Sequence, residues 1–222
     1  MSLAPTFRGS SIGRKVVMAA TGVILFGYVL GHLAGNLQIY LPNGREAMNA
    51  YGAFLHHVLH GAGIWIARAV LLLAVILHIW SATSLTLSNR AARPVGYRQR
   101  RWTESTYASR TMRWSGVILI LFIVYHLLHF TVGSAHPDFV PGDVYHNFVT
   151  GFRSVPVSLF YILAMIFLGL HIRHGFWSMF QTLGVSHPRF IRLAHVGAWI
   201  FAAIIVIGNI SFPLAVLAGI VK

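Results

Sequence analysis

The sequence predicts an all-α integral membrane bundle of five transmembrane helices, and three observations lead there. Apolar residues fill 56% of the 222 positions and charged residues only 9%, against roughly 25% charged in soluble domains. Five stretches are apolar over the roughly 20 residues that a bilayer core requires. They lie at about 16–40, 61–87, 113–134, 155–180 and 193–219. The connections are short and leave no room for a soluble domain, so residues 1–222 form a single membrane domain.

The first span follows Arg14 and Lys15, a charge pattern shared with signal peptides. It is too long for a signal h-region, carries His32 and lacks a small-residue cleavage site, so it reads as a transmembrane helix. The second span follows a loop rich in histidine, His56-His57-Val58-Leu59-His60. The third follows an arginine-rich loop, and the fourth carries His171 and His174 toward its end. The fifth has His195 at its start and reads as packing support, with Asn209 placed to bridge helices. Tyr40, Trp65, Trp102, Trp114, Tyr161 and Trp177 at span ends read as interfacial belt anchors.

Composition also removes chemistries. No cysteine is present, which excludes disulfides, cysteine-ligated iron–sulfur clusters and covalent c-type haem. No phosphate-cradling glycine run such as G-x-G-x-x-G or a P-loop occurs, which argues against nucleotide or flavin binding. The net charge of +13 is not a nucleic-acid signature, because its distribution follows the loops. Arg8, Arg14 and Lys15 precede the first span; Arg90, Arg93, Arg98, Arg100, Arg101, Arg110 and Arg113 fill the second loop; Arg173, Arg189 and Arg192 surround the fourth. The alternate faces hold Arg45, Arg153 and Lys222, with Arg68 just inside the second span. That bias predicts a cytoplasmic N-terminus, cytoplasmic second and fourth loops and an outside C-terminus. The basic face also suits anionic membrane lipid or a soluble partner.

Four spans each carry an intramembrane histidine: His32, His78, His126 and His171. An ionisable side chain is costly in hydrocarbon and reads as functional by default, and imidazole is a common axial ligand of haem iron. With alternate spans running in opposite directions, His32 and His126 fall toward the outside, and His78 and His171 toward the cytoplasm. At 1.5 Å rise per residue the two layers stand roughly 10 Å apart. Two bis-histidine haems b, one held by His32 and His126 (outer) and one by His78 and His171 (inner), fit that sorting.

An internal echo supports it. Thr21-Gly22-Val23-Ile24-Leu25 precedes His32-Leu33 at the same spacing as Ser115-Gly116-Val117-Ile118-Leu119 precedes His126-Leu127. Leu77-His78-Ile79 is matched more weakly by Leu170-His171-Ile172. The register selects His126 over its neighbour His129, and depth selects His171 over His174. His129 and His174 are left for haem-edge, propionate or interfacial roles. Gly27, Gly31 and Gly35 make a stripe beside His32 that admits either a closely packed helix or a flat porphyrin.

Several runs resemble a known family. Ser11-Ile12-Gly13-Arg14-Lys15, Gly31-His32-Leu33-Ala34-Gly35-Asn36-Leu37, Tyr125-His126-Leu127-Leu128-His129-Phe130, and Leu170-His171-Ile172-Arg173-His174-Gly175-Phe176-Trp177-Ser178 with Gln181-Thr182-Leu183-Gly184 carry the likeness. They resemble the cytochrome b subunit of succinate dehydrogenase, in its single-chain, five-helix, dihaem form, which is shared with some fumarate reductases. The resemblance implies an anchor in the bacterial cytoplasmic (inner) membrane for a flavoprotein subunit with FAD and an iron–sulfur subunit, docked on the cytoplasmic face. It implies electron passage from succinate through two haems b to a membrane quinone, with menaquinone the quinone expected. It also implies axial ligands one on each of the first four helices, which matches His32, His78, His126 and His171.

Propionates need cationic or hydrogen-bonding partners. Arg14, Arg113, Arg173 and His174 are the candidates for the inner haem, and His60, Arg68 and His129 for the outer; Arg68 alternatively snorkels to the interface. Quinone reduction consumes protons, so Tyr51, His56, His57 and His60 are candidate quinone residues, with ordinary interfacial hydrogen bonding the alternative. The opposite face near Arg14, Trp177 and Gln181 is the rival location. A fumarate reductase anchor or another dehydrogenase cytochrome b remains in the same class. A histidine-relay proton channel or transporter is the reading from a different class. It calls for carboxylates among the histidines, whereas Glu46, Glu104, Asp138 and Asp143 are all expected in loops.

Overall fold

The computed structural model describes residues 10–92, 107–182, 184–185 and 187–222, and no strand occurs among them. Helix α1 spans Ser11–Asn36. The Ser10 hydroxyl accepts a hydrogen bond from the Gly13 N–H at 2.9 Å, which satisfies one of the orphan donors of the first turn. A 3₁₀ turn, Leu37–Tyr40, leads to helix α2, Gly44–His57. The chain then reverses through Val58–Gly61, where Leu59 and His60 adopt left-handed φ of 52° and 55°. Each such non-glycine residue costs on the order of 1–2 kcal/mol.

Helix α3 spans Ala62–Ala91, and α4 spans Tyr107–His126 and continues as a π-helical turn, Leu127–Val132. Helix α5 is Val144–Phe152, α6 is Val155–Thr182 and α7 is Pro188–Leu217. The last opens on His187 as N-cap with proline in its first turn, where a missing N–H costs nothing. Five helices, α1, α3, α4, α6 and α7, are long and apolar enough to cross a membrane.

The packing is pairwise. α1 lies along α3, α4 along α6, and α6 along α7. The α1–α3 pair meets the α4–α6 pair chiefly where α1 approaches α6. Small residues let α6 and α7 close tightly: Ala164, Ala198 and Ala202 are buried, and Gly169 admits Val206 directly against its backbone. Large apolar side chains face outward on every crossing helix, among them Leu72, Trp114 and Ile207. In water such a surface would aggregate, whereas in lipid it is the solvent-exposed face.

Two connections expected to be loops form short helices instead, α2 and α5. α2 and α5 lie against one another across one end of the bundle. Asp143 fastens them. Its carboxylate caps α5 by accepting from the His146 N–H at 3.0 Å, and accepts from Asn49 at 3.0 Å and Arg45 at 2.8 Å on α2. Asn49 in return accepts the Tyr145 N–H at 3.0 Å. Burial pushes the Asp143 carboxyl upward, but the His146 amide, Asn49 and the Arg45 guanidinium outweigh it and hold the group at about 2. Glu46 therefore belongs to the first turn of α2 rather than to a loop.

Two further expectations change. Tyr161, expected at the interface, is 6% exposed and packs among Phe122, Phe130 and Phe152. Asn209, expected to bridge helices, donates to the Ile205 carbonyl of its own helix at 2.8 Å. Trp102, Glu104, Leu183 and the arginines at 93, 98, 100 and 101 lie outside the described residues.

Candidate functional site: two histidine pairs between helix pairs

The four intramembrane histidines meet as two pairs, each reaching from one helix pair to the other. His32 on α1 faces His126 on α4 with ring centroids 5.8 Å apart and planes perpendicular. His78 on α3 faces His171 on α6 with centroids 6.2 Å apart. Among the described residues no three histidines or carboxylates converge as a metal cage. What exists is opposed imidazoles, twice.

The second pair has its orientation fixed by hydroxyls. His78 Nδ1 lies 3.1 Å from Thr21 Oγ1, and His171 Nδ1 lies 3.2 Å from Ser115 Oγ. Each hydroxyl has one proton, and each is committed to its own helix. Thr21 donates to the Val17 carbonyl at 2.8 Å and approaches that of Met18 at 3.1 Å; Ser115 donates to Met112 at 2.8 Å. The hydroxyl oxygens are thus left to accept, the Nδ1 atoms donate, and the lone pairs reside on Nε2. Gly22 lies beside the same ring, where a Cβ would make an ordinary contact with His78 Cε1 at 3.6 Å.

The His32–His126 pair has an aromatic wall. Tyr28 stacks on His32 at 5.5 Å, and Phe122 and Phe130 each lie 5.7 Å from His126. Tyr161 Oη is 3.4 Å from His126 Nδ1 and 3.0 Å from His129 Nδ1. His129 lies in the π turn, a form that occurs frequently at functional sites. His129 is fully buried, stacked 5.0 Å from His136, and its Nε2 has no hydrogen-bond partner among the described residues.

The remaining candidates are dispersed. Arg14 donates to Ser84 and Ser88 hydroxyls at 2.8 Å each, tying the start of α1 to the end of α3. Arg173 lies 4.0 Å over the Trp199 ring, between α6 and α7. Arg113 is exposed and His174 half-buried on the same end. Arg68 is exposed, 4.8 Å over Trp65. Tyr51 rests on Gly35, where a Cβ would sit 2.7 Å from its ring; Gly35 lies three residues beyond His32. His56 and His57 donate through Nδ1 to the Gly52 and Ala53 carbonyls at 2.8 and 2.7 Å, capping the last turn of α2, while His60 is exposed in the left-handed turn. Trp177 stacks on His195 at 3.8 Å, joining α6 to α7.

Sequence reasoning missed Thr21, Ser115 and Tyr161 as parts of the site. The first two stood in view as the leading residues of the internal echo. Their partners were hidden, because each serves the histidine of a neighbouring helix and not the one ahead of it in its own.

Fold and site together define a multi-pass membrane protein with paired intramembrane histidines. A family model described as the succinate dehydrogenase/fumarate reductase transmembrane subunit matches residues 86–210, more than half of the chain. The chain belongs to that family, the membrane-embedded subunit of an oxidoreductase complex. The matched segment contains Ser115, His126 and His171, whereas Thr21, His32 and His78 precede it. No curated protein and no solved structure matches.

Proposed function

We propose that this chain is the dihaem b membrane anchor of a succinate:quinone oxidoreductase. His32 and His126 would hold one haem, and His78 and His171 the other. The observation that carries the reading is the spacing of the two pairs. A metal-bound imidazole nitrogen lies about 2 Å from its metal and the ring centroid about 1 Å further, so opposed axial rings have centroids about 6 Å apart. The centroid separations of 5.8 and 6.2 Å fit that requirement. Donation of Nδ1–H to a fixed acceptor, leaving Nε2 free, is also the usual arrangement of a metal-ligating histidine. Gly31 and Gly116 fit as well, because a Cβ at either would meet none of the described residues within 4 Å.

When bound, the haems supply one-electron carriers between an iron–sulfur partner and a membrane quinone. The chain's own residues do the rest. The Phe122, Phe130 and Tyr161 wall keeps water from His126. The Arg14–Ser84–Ser88 contact fixes the ends of α1 and α3 relative to one another. The bias of Lys and Arg supports an N-terminus facing the cytoplasm of a bacterial inner membrane, with the flavoprotein and iron–sulfur subunits docked on that face. For quinone we favour the opposite end beside Tyr51, close to His32 along α1. Menaquinone is the quinone expected, and fumarate reduction is the same machinery run in the other direction.

The test is the reduced-minus-oxidised absorbance spectrum of the purified chain. Two low-spin b haems are expected, with His78→Ala losing one and keeping the other. A wild-type chain without haem, purified folded from haem-replete cells, overturns the reading and returns the histidines to the relay alternative.

A further inference from the structure

We propose that Thr21 and Ser115 are positioning residues for the inner pair: their hydroxyls orient His78 and His171 and raise the donor strength of both imidazoles. This rests on the dihaem reading above. Three observations support it independently of that reading. The two contacts are the same contact made twice, each from a hydroxyl on the first helix of a pair to a histidine on the second, across 57 and 56 residues of chain. Both hydroxyls are buried, Thr21 at 5% and Ser115 at 1% exposed, so water does not compete for them. Both spend their proton on a helix carbonyl, so the contact has one polarity in each half.

An ordinary Ser or Thr inside a helix bonds back to its own carbonyls and stops there. Here that back-bond leaves the oxygen lone pairs pointed at a neighbouring imidazole. An Nδ1–H engaged by a fixed acceptor gives the opposite nitrogen greater basicity. A more basic axial nitrogen favours ferric over ferrous iron, so the two hydroxyls hold the potential of the inner haem down. The outer pair has a different device. His126 meets the longer 3.4 Å contact of Tyr161, which also serves His129, and His32 meets the face of Tyr28. The chain thus carries the means to separate the potentials of two otherwise similar bis-histidine sites.

The experiment is a spectroelectrochemical titration of the intact complex carrying Thr21→Val, Ser115→Ala or both. Valine keeps the shape of threonine and removes only the acceptor. The expected result is an upward shift of one haem potential in each single variant, the same haem in both, and a larger shift in the double variant. The other haem stays at its wild-type value, and Thr21→Ser restores the wild-type potential. The affinity of the shifted site for haem falls about tenfold. Complete loss of one haem in Thr21→Val with restoration in Thr21→Ser also supports the proposal. Unchanged potentials, equal movement of both haems, or a loss that Thr21→Ser does not restore overturns it. A wild-type complex without two haems refutes the dihaem reading instead, before any variant is compared.

Discussion

Removing the Tyr161 hydroxyl tests the buried wall beside the His32–His126 pair. Tyr161→Phe keeps the ring, whose neighbours Phe122 and Phe152 lie 5.1 and 5.0 Å away. What is lost is a 3.0 Å hydrogen bond to His129 and a 3.4 Å contact to His126. His129 Nε2 already has no partner among the described residues and the side chain is fully buried, so the variant leaves both nitrogens of that ring unsatisfied. A buried polar group deprived of its partner costs about 1–3 kcal/mol. The weaker His126 contact adds a fraction of that, so the expected loss of unfolding free energy is about 2 kcal/mol. The assay is reversible unfolding of the purified chain in mixed micelles, run as a double-mutant cycle with His129→Leu. Once His129 is gone, the tyrosine hydroxyl retains only its long contact, and removing it should then cost about half as much or less. A Tyr161→Phe protein within about 0.3 kcal/mol of wild type, or strict additivity in the cycle, would refute the reasoning and return Tyr161 to a belt role.

Three more outcomes follow from the packing and the cap. The Asp143 carboxyl is held at about 2, below its ordinary 3.8. Its contribution is therefore complete above pH 4 and is lost as pH falls from 4 through 2; the stability–pH curve should be flatter there in Asp143→Asn, and an identical curve would contradict the cap. Gly169→Ala drives a methyl into Val206 and should cost about 1–3 kcal/mol. Among the described residues Gly175→Ala meets only Met112 Cε at 3.8 Å and should be neutral or stabilising by about 0.5–1 kcal/mol; thermal stability of the two variants in detergent separates them. Tyr51→Phe should raise the KM for quinone without altering the haem spectrum, and an unchanged KM would move the quinone site to the Arg14 and Trp177 end.

The five crossing helices were legible because hydrophobic length is a direct demand of the bilayer. Their ends were not. α1 starts at Ser11, several residues before its apolar run, because the Ser10 cap and not hydropathy decides where backbone donors are satisfied. α7 likewise starts at Pro188 behind the His187 cap. α2 and α5 escaped notice since neither is long or apolar enough to announce itself, and their stability comes from contacts distant in sequence, such as Asn49 to Tyr145. That His32 faces His126 and His78 faces His171 was legible from depth, span direction and the internal echo. The propionate candidates could not be sorted that way. Helical rotation sends Arg173 to Trp199 and Arg14 to Ser84, and span depth carries no rotational information. Tyr161 was misplaced for the same reason: position near a span end says nothing about which way a ring points.

The central claim is that each pair of facing imidazoles grips one haem iron. Electron paramagnetic resonance of the oxidised, purified chain tests it most directly. Two low-spin ferric signals are expected, with one disappearing in His32→Ala and the other in His171→Ala. A high-spin ferric signal in the wild type, or both low-spin signals surviving either substitution, would contradict the account.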